Sequence, residues 1–455
     1  MTHQLRFRQI HLDFHTSKDI PEIGTAFDKE HWQKTLKDAS VNSITCFATC
    51  HHGWAYYDTK IWKRHPELKF DLLRNQFDAC KEIDINVPIY LTAGVNHLAG
   101  KEHPEWIELM PNGQSSTPLL PDFRRMCFNT PYLDLICKQI EEVVKLFPDC
   151  DGIFLDIIKQ RECCCSWCMK SMAEKGLDPE KEKDRKAHAK SVLEKYYIET
   201  TEAAKSFNSD MPIFHNSGHV TAEKLKYFSH LELESLPTGG WGYDHFPMSA
   251  KYCVGLSHSF LGMTGKFHTT WGEFGGFKHP NALRYECAQM LAMGARCSVG
   301  DQLHPSGKLD ESSYKIIGEA YREVEEKEKW CDNVESVSDI ALLAADSTKE
   351  YPDRDKTANV GAGRALLEGH LLFDVIDATR DLSKYKLLIL PGDVQIDEAL
   401  KSKIDVFIKE GGKLLAVGDS ALNEEKNGFL WDMGASYAGK PFYEPDYILP
   451  IKELR

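Results

Sequence analysis

The stretch Asp151–Cys168, DGIFLDIIKQRECCCSWC, carries two chemistries side by side. Gly152–Ile157 is short, apolar and bounded by turn signals, as a buried strand of a parallel sheet would be. Asp156 interrupts it near its C-terminal end. A carboxylate there is costly to bury unless it is paired or used. In a β/α barrel, the C-terminal strand ends are where catalysis sits. The plainer reading of Asp156 is a helix cap or a salt bridge at a barrel rim. Farther along, Cys163-x-Cys165-x-x-Cys168 gathers thiolates in one short loop. Zinc takes a tetrahedral set of such ligands. Cys127 precedes a helix opening at Thr130-Pro131 whose chain returns to this strand, so it can complete the set, with Cys164 a bystander. The plainer reading is a group of reduced, buried cysteines.

Other polar side chains fall at the ends of apolar runs: Asp13 and His15, His51 and His52, Trp54, Tyr90, His215, Glu234, His268, Trp271 and Asp301. They combine carboxylates, imidazoles and indoles with no evident Ser or Cys nucleophile. Aromatic faces stack on the C–H faces of sugars, imidazoles and carboxylates take hydroxyl hydrogen bonds, and paired carboxylates hydrolyse glycosides. A metal-dependent amidohydrolase-type barrel is the rival reading, since His11, Asp13 and His15 share one strand face and His215 and Asp301 end later strands. Such a barrel usually needs a Lys or Glu on its fourth strand, and Lys159 falls beyond it. A noncatalytic sugar-binding barrel is the third.

These residues need elements to hold them. Phe7–His15 alternates, with Ile10, Leu12 and Phe14 on one face and His11, Asp13 and His15 on the other. The pattern predicts further strands over 43–48, 87–92, 152–157, 212–215, 230–234, 266–271 and 295–299. Helices are expected over 28–39, from Thr130 onward and over 312–326. Strands ending in polar residues and followed by helices describe a TIM (β/α)8 barrel over residues 1–334. Fresh apolar strands at 340–344, 387–390 and 414–417, with a helix over 400–409, predict a flavodoxin-like doubly wound α/β domain over 335–440. It has no GxGxxG fingerprint, so no nucleotide is assigned. Residues 441–455, with Pro441, Pro445 and Pro450, read as a tail or the start of a C-terminal β domain.

A net charge of −14 argues against nucleic acid and anionic membrane as partners. The opening MTHQLRFRQIHLDF lacks the pattern of a signal peptide, and no apolar run spans a bilayer. The 14 cysteines then read as reduced thiols or metal ligands in a cytoplasmic protein.

The motifs HLDFHT (11–16), CHHGW (50–54), PTGGWGY (237–243), GMTGKFH (262–268), WGEFGGF (271–277) and GDQLHP (300–305) resemble glycoside hydrolase family 151, the α-L-fucosidases, through nearly the whole barrel. Residues of about 336–435 resemble the trimerisation domain of family 42 β-galactosidases. The zinc loop of that family is similar to Cys163, Cys165 and Cys168, with an earlier Cys at the place of Cys127. The resemblance implies a retaining exo-α-L-fucosidase acting on fucosylated oligosaccharides, with no catalytic cofactor and a possible structural zinc. A homotrimer is implied by the second domain. Family 29 fucosidases carry an Asp nucleophile at the fourth strand and a His pair after the second, which Asp156, His51 and His52 resemble. Asp13, His15, Trp54, Tyr90, His215, Trp241, His268, Trp271 and Asp301 would complete the sugar pocket. Glu234 and Glu273 compete for the acid/base, with Glu234 favoured because a strand end holds it more rigidly than a glycine-rich loop holds Glu273. A glycosidase for another sugar, such as a β-galactoside, is the alternative.

Overall fold

The computed structural model describes residues 3–115, 123–216, 222–344, 357–392 and 394–440. The tail with Pro441, Pro445 and Pro450 lies outside the described residues. Two compact units follow one another, Met1–Glu335 and Ser336–Arg455.

The first unit is built on eight parallel strands: β1 Arg8–Asp13, β2 Ser43–Phe47, β3 Ile89–Thr92, β4 Ile153–Asp156, β5 Ile213–His215, β6 Leu231–Glu234, β7 Phe260–Gly265 and β8 Arg296–Gln302. Their order is β5-β4-β3-β2-β1-β8-β7-β6, so the barrel is nearly closed. At the β5–β6 seam Ser229 substitutes for a ladder, its amide donating to the Ile213 carbonyl and its hydroxyl accepting from the Ile213 amide, both at 3.0 Å. Around the strands lie α1 Lys29–Asp38, α2 Leu72–Lys81, α3 His97–Glu102, α4 Tyr132–Leu146, α5 Ser166–Glu174, α6 Glu182–Ala204, α7 His245–Cys253, α8 Pro280–Ala292 and α9 Glu311–Cys331. None of the described helices is long and apolar enough to cross a membrane.

Local chemistry accounts for the boundaries. Asp28 caps α1 by accepting from the His31 amide at 2.7 Å, and Trp32 and Leu36, one turn apart, bury its inner face. Helix α4 starts at Tyr132, with Thr130 still accepting from the Tyr132 amide at 3.3 Å and Leu133, Ile136, Ile140 and Val143 turned to the core.

The seventh strand departs from expectation. It is Phe260–Gly265, not 266–271, and His268 and Trp271 therefore sit in the loop that follows. Glycine is depleted in strands, so FLGMTG hides its strand while KFHTTW imitates one. Gly262 is required by packing. A Cβ there would lie 2.5 Å from Phe246 of α7 and 2.7 Å from Met290 of α8.

The second unit has four parallel strands in the order β10-β9-β11-β12: β9 Ile340–Leu343, β10 Phe373–Ile376, β11 Leu387–Leu390 and β12 Lys413–Ala416. Helices α10 Thr357–Glu368 and α11 Glu398–Lys409 join them. This is the expected doubly wound sheet. Strand β10 escapes the sequence pattern because Asp374 interrupts it. That carboxylate is buried and accepts from Ser336 at 2.7 Å, Lys384 at 2.8 Å and Tyr385 at 2.9 Å.

Gly262→Ala should destabilise the first unit by about 1–3 kcal/mol, the usual cost of overpacking. A urea midpoint equal to that of the wild type would overturn this account of β7.

Candidate active site

Strand parity decides which side chains meet inside the barrel. On β1, His11 presents its ring to Phe47 at 5.8 Å, Tyr90 at 5.8 Å, Phe154 at 4.9 Å and Trp271 at 5.5 Å. Only an inward residue can touch neighbours from so many strands. Asp13, two residues on, shares that face. Tyr90 is fully buried and lies parallel to Phe47, with ring centroids 3.6 Å apart. These rings form an apolar floor beneath the C-terminal strand ends.

Asp156 stands on that floor. The Tyr90 hydroxyl donates to its Oδ2 at 2.5 Å, and the Asn216 amide donates to Oδ1 at 2.8 Å. Its third donor is the next peptide, the Ile157 N–H, at 2.8 Å from Oδ1. The chain continues through Ile157 at φ 59°, a left-handed conformation that a β-branched residue rarely adopts. Gly94 makes room for it, since a Cβ on Gly94 would lie 1.6 Å from the Ile157 carbonyl oxygen.

Glu234 ends β6 on the inward face and accepts from the Trp271 indole N–H at 2.7 Å. Loss of hydration raises its pKa. The Trp271 and Asn216 hydrogen bonds oppose that rise, and the charges of Asp156 and Asp13 add to it. Asn216 thus donates to Asp156 and lies near enough to Glu234 to favour its charged form, while the charge of Asp156 reaches Glu234.

The histidines form an ordered relay. Thr92 gives its hydroxyl proton to the Val95 carbonyl at 2.7 Å, so it accepts from His51 Nδ1 at 2.8 Å. Burial above all holds the His51 pKa well below its ordinary value. The neutral ring therefore offers a bare Nε2, 3.6 Å from Asp156 Oδ2. His15 stacks on His51 at 4.0 Å and bonds Asp13 through Nε2 at 2.9 Å. Burial lowers the His15 pKa, but the Asp13 charge and hydrogen bond, with Cys50, push it up to about 10. The His51 amide, however, donates to His15 Nδ1 at 3.0 Å, and a proton on that nitrogen would meet the amide proton head-on. The hydrogen-bond geometry therefore fixes the neutral ring with its proton on Nε2.

The other expected residues are dispersed. His52 faces the edge of Phe123 at 4.9 Å, and burial pushes its pKa down to about 4. Trp54 packs on His65 at 5.9 Å. Trp241 is 45% exposed on the loop after β6, and His268 is exposed on the loop after β7. Glu273 accepts from the backbone and hydroxyl of Thr269, which lower its pKa, and bonds neither carboxylate of the cluster.

Two expectations are corrected by strand parity. His215 is fully buried against Tyr196 and Tyr197 of α6 at 5.6 and 4.9 Å, so it faces the helix layer, and burial pushes its pKa down to about 3. Asp301 is in register with Leu12, on the face opposite to Asp13. It lies 3.9 Å from Lys266, and burial pushes its pKa up to about 7. Neither lines the pocket.

Asn216, Gln302 and Phe123 were not anticipated. Gln302 is in register with Asp13 and is buried, with neither its amide nitrogen nor its oxygen hydrogen-bonded. Counting by two from Phe214 and from Gly300 leads to Asn216 and Gln302. Phe123 follows no strand and carried no signal.

A second site is formed by Cys127, Cys163, Cys165 and Cys168, all buried, with their sulfurs within 4.8 Å of one another. Cys127 lies 3.4 Å from Cys168 and 3.8 Å from Cys165. A tetrahedral zinc–thiolate set with bonds of about 2.3 Å has sulfurs about 3.8 Å apart. N–H groups of Leu109, Gln160 and Asn129 point at these sulfurs at 3.4, 3.6 and 3.8 Å, as outer partners of a thiolate site do. The cluster therefore fits a structural metal ion such as zinc.

A family model described as a hypothetical glycosyl hydrolase matches residues 28–157, and one described as a β-galactosidase trimerisation domain matches residues 363–434. No curated protein matches the chain. Among solved structures, α-L-fucosidase isoenzyme 2 from Paenibacillus thiaminolyticus is 46% identical, over 97% of this chain and 68% of that one, with a TM-score of 0.92. The β-galactosidase from Bacillus circulans sp. alkalophilus is 14% identical, over 90% and 70%, with a TM-score of 0.68. The cold-adapted β-galactosidase from Rahnella sp. R3 is 16% identical, over 91% and 74%, with a TM-score of 0.69. The last two share the fold.

Proposed function

The chain belongs to glycoside hydrolase family 151, and from that membership we propose that it is a retaining exo-α-L-fucosidase, releasing terminal α-L-fucose through a covalent glycosyl-enzyme. The observation that supports the mechanism is the pair of inward carboxylates at strand ends, Asp156 on β4 and Glu234 on β6, with the charge of Asp156 raising the Glu234 pKa. Such a pairing suits the ~5–5.5 Å of retaining enzymes, where an inverting enzyme needs ~6.5–9.5 Å to admit a water.

Asp156 is the nucleophile. It attacks the anomeric carbon while the bond to the leaving oxygen breaks. Glu234, protonated because its pKa is raised, gives its proton to that oxygen. Glu234 then takes a proton from the water that releases fucose. Tyr90 steadies Asp156 until its charge is spent. Substrate hydroxyls donate to the bare Nε2 of His51 and pair with the open amide of Gln302. Trp271 and Phe123 supply apolar surface for the methyl group of a deoxyhexose. Glu273 stays outside the chemistry.

The Cys127, Cys163, Cys165 and Cys168 cluster holds one structural zinc. It pins the loop after β4 to the segment before α4. No cysteine among the described residues is in a disulfide, which supports a reducing, cytoplasmic setting. The second unit builds a homotrimer. Its edge strand β12 and the segment after it expose Leu415 (48%) and Val417 (49%), and Val406 of α11 is 54% exposed, which is apolar surface suited to an interface.

Asp156→Ala should lose ~10³-fold or more in kcat on fucosides, ~4 kcal/mol of barrier, and with azide should form β-fucosyl azide. Glu234→Ala should keep turnover of good leaving groups, lose natural fucosides, and with azide form the α product by interception of the glycosyl-enzyme. The wild-type rate should fall as pH rises through the raised Glu234 pKa, since the ionised form has no proton to give, and Glu234→Gln should lack that limb. Azide rescue in Glu273→Ala and not in Glu234→Ala would transfer the role to Glu273.

Protein purified without chelator should contain one zinc per chain by elemental analysis. Chelation should lower the melting temperature before it lowers the rate per folded molecule, and a metal-free preparation of equal stability would refute the site.

Light scattering should give the mass of a trimer, and removal of residues 336–455 should abolish it. A monomeric full-length chain would refute the assembly.

A further inference from the structure

Beside the pocket lies a group of cations that the hydrolytic chemistry does not use. Phe123 edges against His51 at 5.2 Å and His52 at 4.9 Å, so its segment passes over the site. Arg125 follows two residues later and is bridged to Val95, in backbone extended enough to send both side chains the same way. Its charge reaches His51.

The loop after β4 brings two more cations to the same place. Glu108 joins the segments: its amide donates to the Arg125 carbonyl at 3.0 Å, and its carboxylate accepts from the Arg161 amide at 2.6 Å. Lys159, exposed, stands between Asp156 and Arg161 in sequence and feels both arginines.

Among the described residues, none of these three side chains makes an ion pair. The Arg125 Nε is buried without a hydrogen-bond partner. The neighbouring Glu162 is already paired, to Arg185 at 3.0 Å. Three cationic residues thus rise from two segments that Glu108 ties together, in a chain whose net charge is −14. Like charges gather in this way at a cost unless an anion arrives to join them.

Resting on the fucosidase reading, we propose that Arg125, Lys159 and Arg161 form an anion subsite on the leaving-group side of the pocket, which takes a sulfate or carboxylate borne by the sugar to which fucose is attached. The direction follows from exo action. Fucose fills the enclosed part of the site, and only the leaving group reaches the loops after β3 and β4. Guanidinium groups suit such anions because their planar fork bonds two oxygens at once.

The test compares kcat/KM on three fucosyl disaccharides: one with neutral N-acetylglucosamine, one with the same sugar carrying a sulfate, and one with glucuronic acid in its place. The readout is the ratio of anionic to neutral substrate, so a general loss of activity cancels. The wild type should favour at least one anionic substrate by about tenfold or more at low salt, with the advantage shrinking as salt is added. In the Lys159→Gln/Arg161→Gln double variant the ratio should fall to about one. Equal rates on all three in the wild type, or an advantage that the double variant retains, would overturn the subsite. If no fucoside is turned over, the fucosidase reading fails, and the subsite is decided by calorimetric binding of the sulfated disaccharide. Affinity about tenfold weaker in the double variant would then support it, and equal affinity would overturn it.

Discussion

The site depends on one contact made within a single turn of chain. Asp156 Oδ1 accepts from the amide of Ile157, the next residue. That bond holds the carboxylate at the strand end, and the chain leaves it through Ile157 at φ 59°. Strain of this kind costs about 1–3 kcal/mol and persists only where the surroundings impose it. They do so here. The Asp156 carbonyl accepts from Ala93 at 3.2 Å and Gly94 at 3.0 Å, and the Ile158 amide donates to the Asn216 carbonyl at 2.9 Å. The peptide between is clamped on both sides, and Gly94 alone leaves space for it.

The floor beneath sets the electrostatics above. His11, Phe47, Tyr90 and Phe154 fill the barrel centre with rings in contact. Water is excluded from below, and a carboxyl at that level loses hydration unless donors replace it. Deeper still, Glu232 is satisfied by His230 at 2.9 Å and Gln9 at 3.3 Å. Glu232 and Glu234 share a strand face, and their donors separate them. The lower one is bonded into the floor, and the upper one faces the pocket.

Much of this was legible in the sequence because strand alternation has a strict period. Reading His11 and Asp13 as the inward face of β1 required nothing else. The same rule, applied to the whole chain, would have turned His215 and Asp301 outward and Asn216 and Gln302 inward. Those assignments failed because a histidine and an aspartate look like chemistry, whereas Asn and Gln look like filler. Strand β7 was misplaced because its glycines serve the helices behind it, and close approach of Phe246 and Met290 leaves no trace in local propensity. Strand β10 was hidden by Asp374, whose partners come from distant segments. Phe123 belongs to a short bridged segment outside the sheet, which no strand pattern marks. Each miss concerns a residue whose reason lies in a part of the chain remote in sequence.

Donor supply is what divides two similar carboxylates into different roles. Asp156 accepts from Tyr90, Asn216 and its own following amide. Glu234 accepts from Trp271, with Asn216 nearby. With fewer donors, the same loss of hydration is less fully compensated, and the charge of Asp156 nearby adds to the cost of ionising it. The Glu234 pKa is raised, which suits the proton donor of the proposed reaction. In that reaction the two carboxylates are coupled by charge: when Asp156 forms a glycosyl bond, the repulsion that raised the Glu234 pKa disappears. Glu234 can then give up its proton and accept one from water in the following step, and the same geometry serves both halves of a retaining reaction.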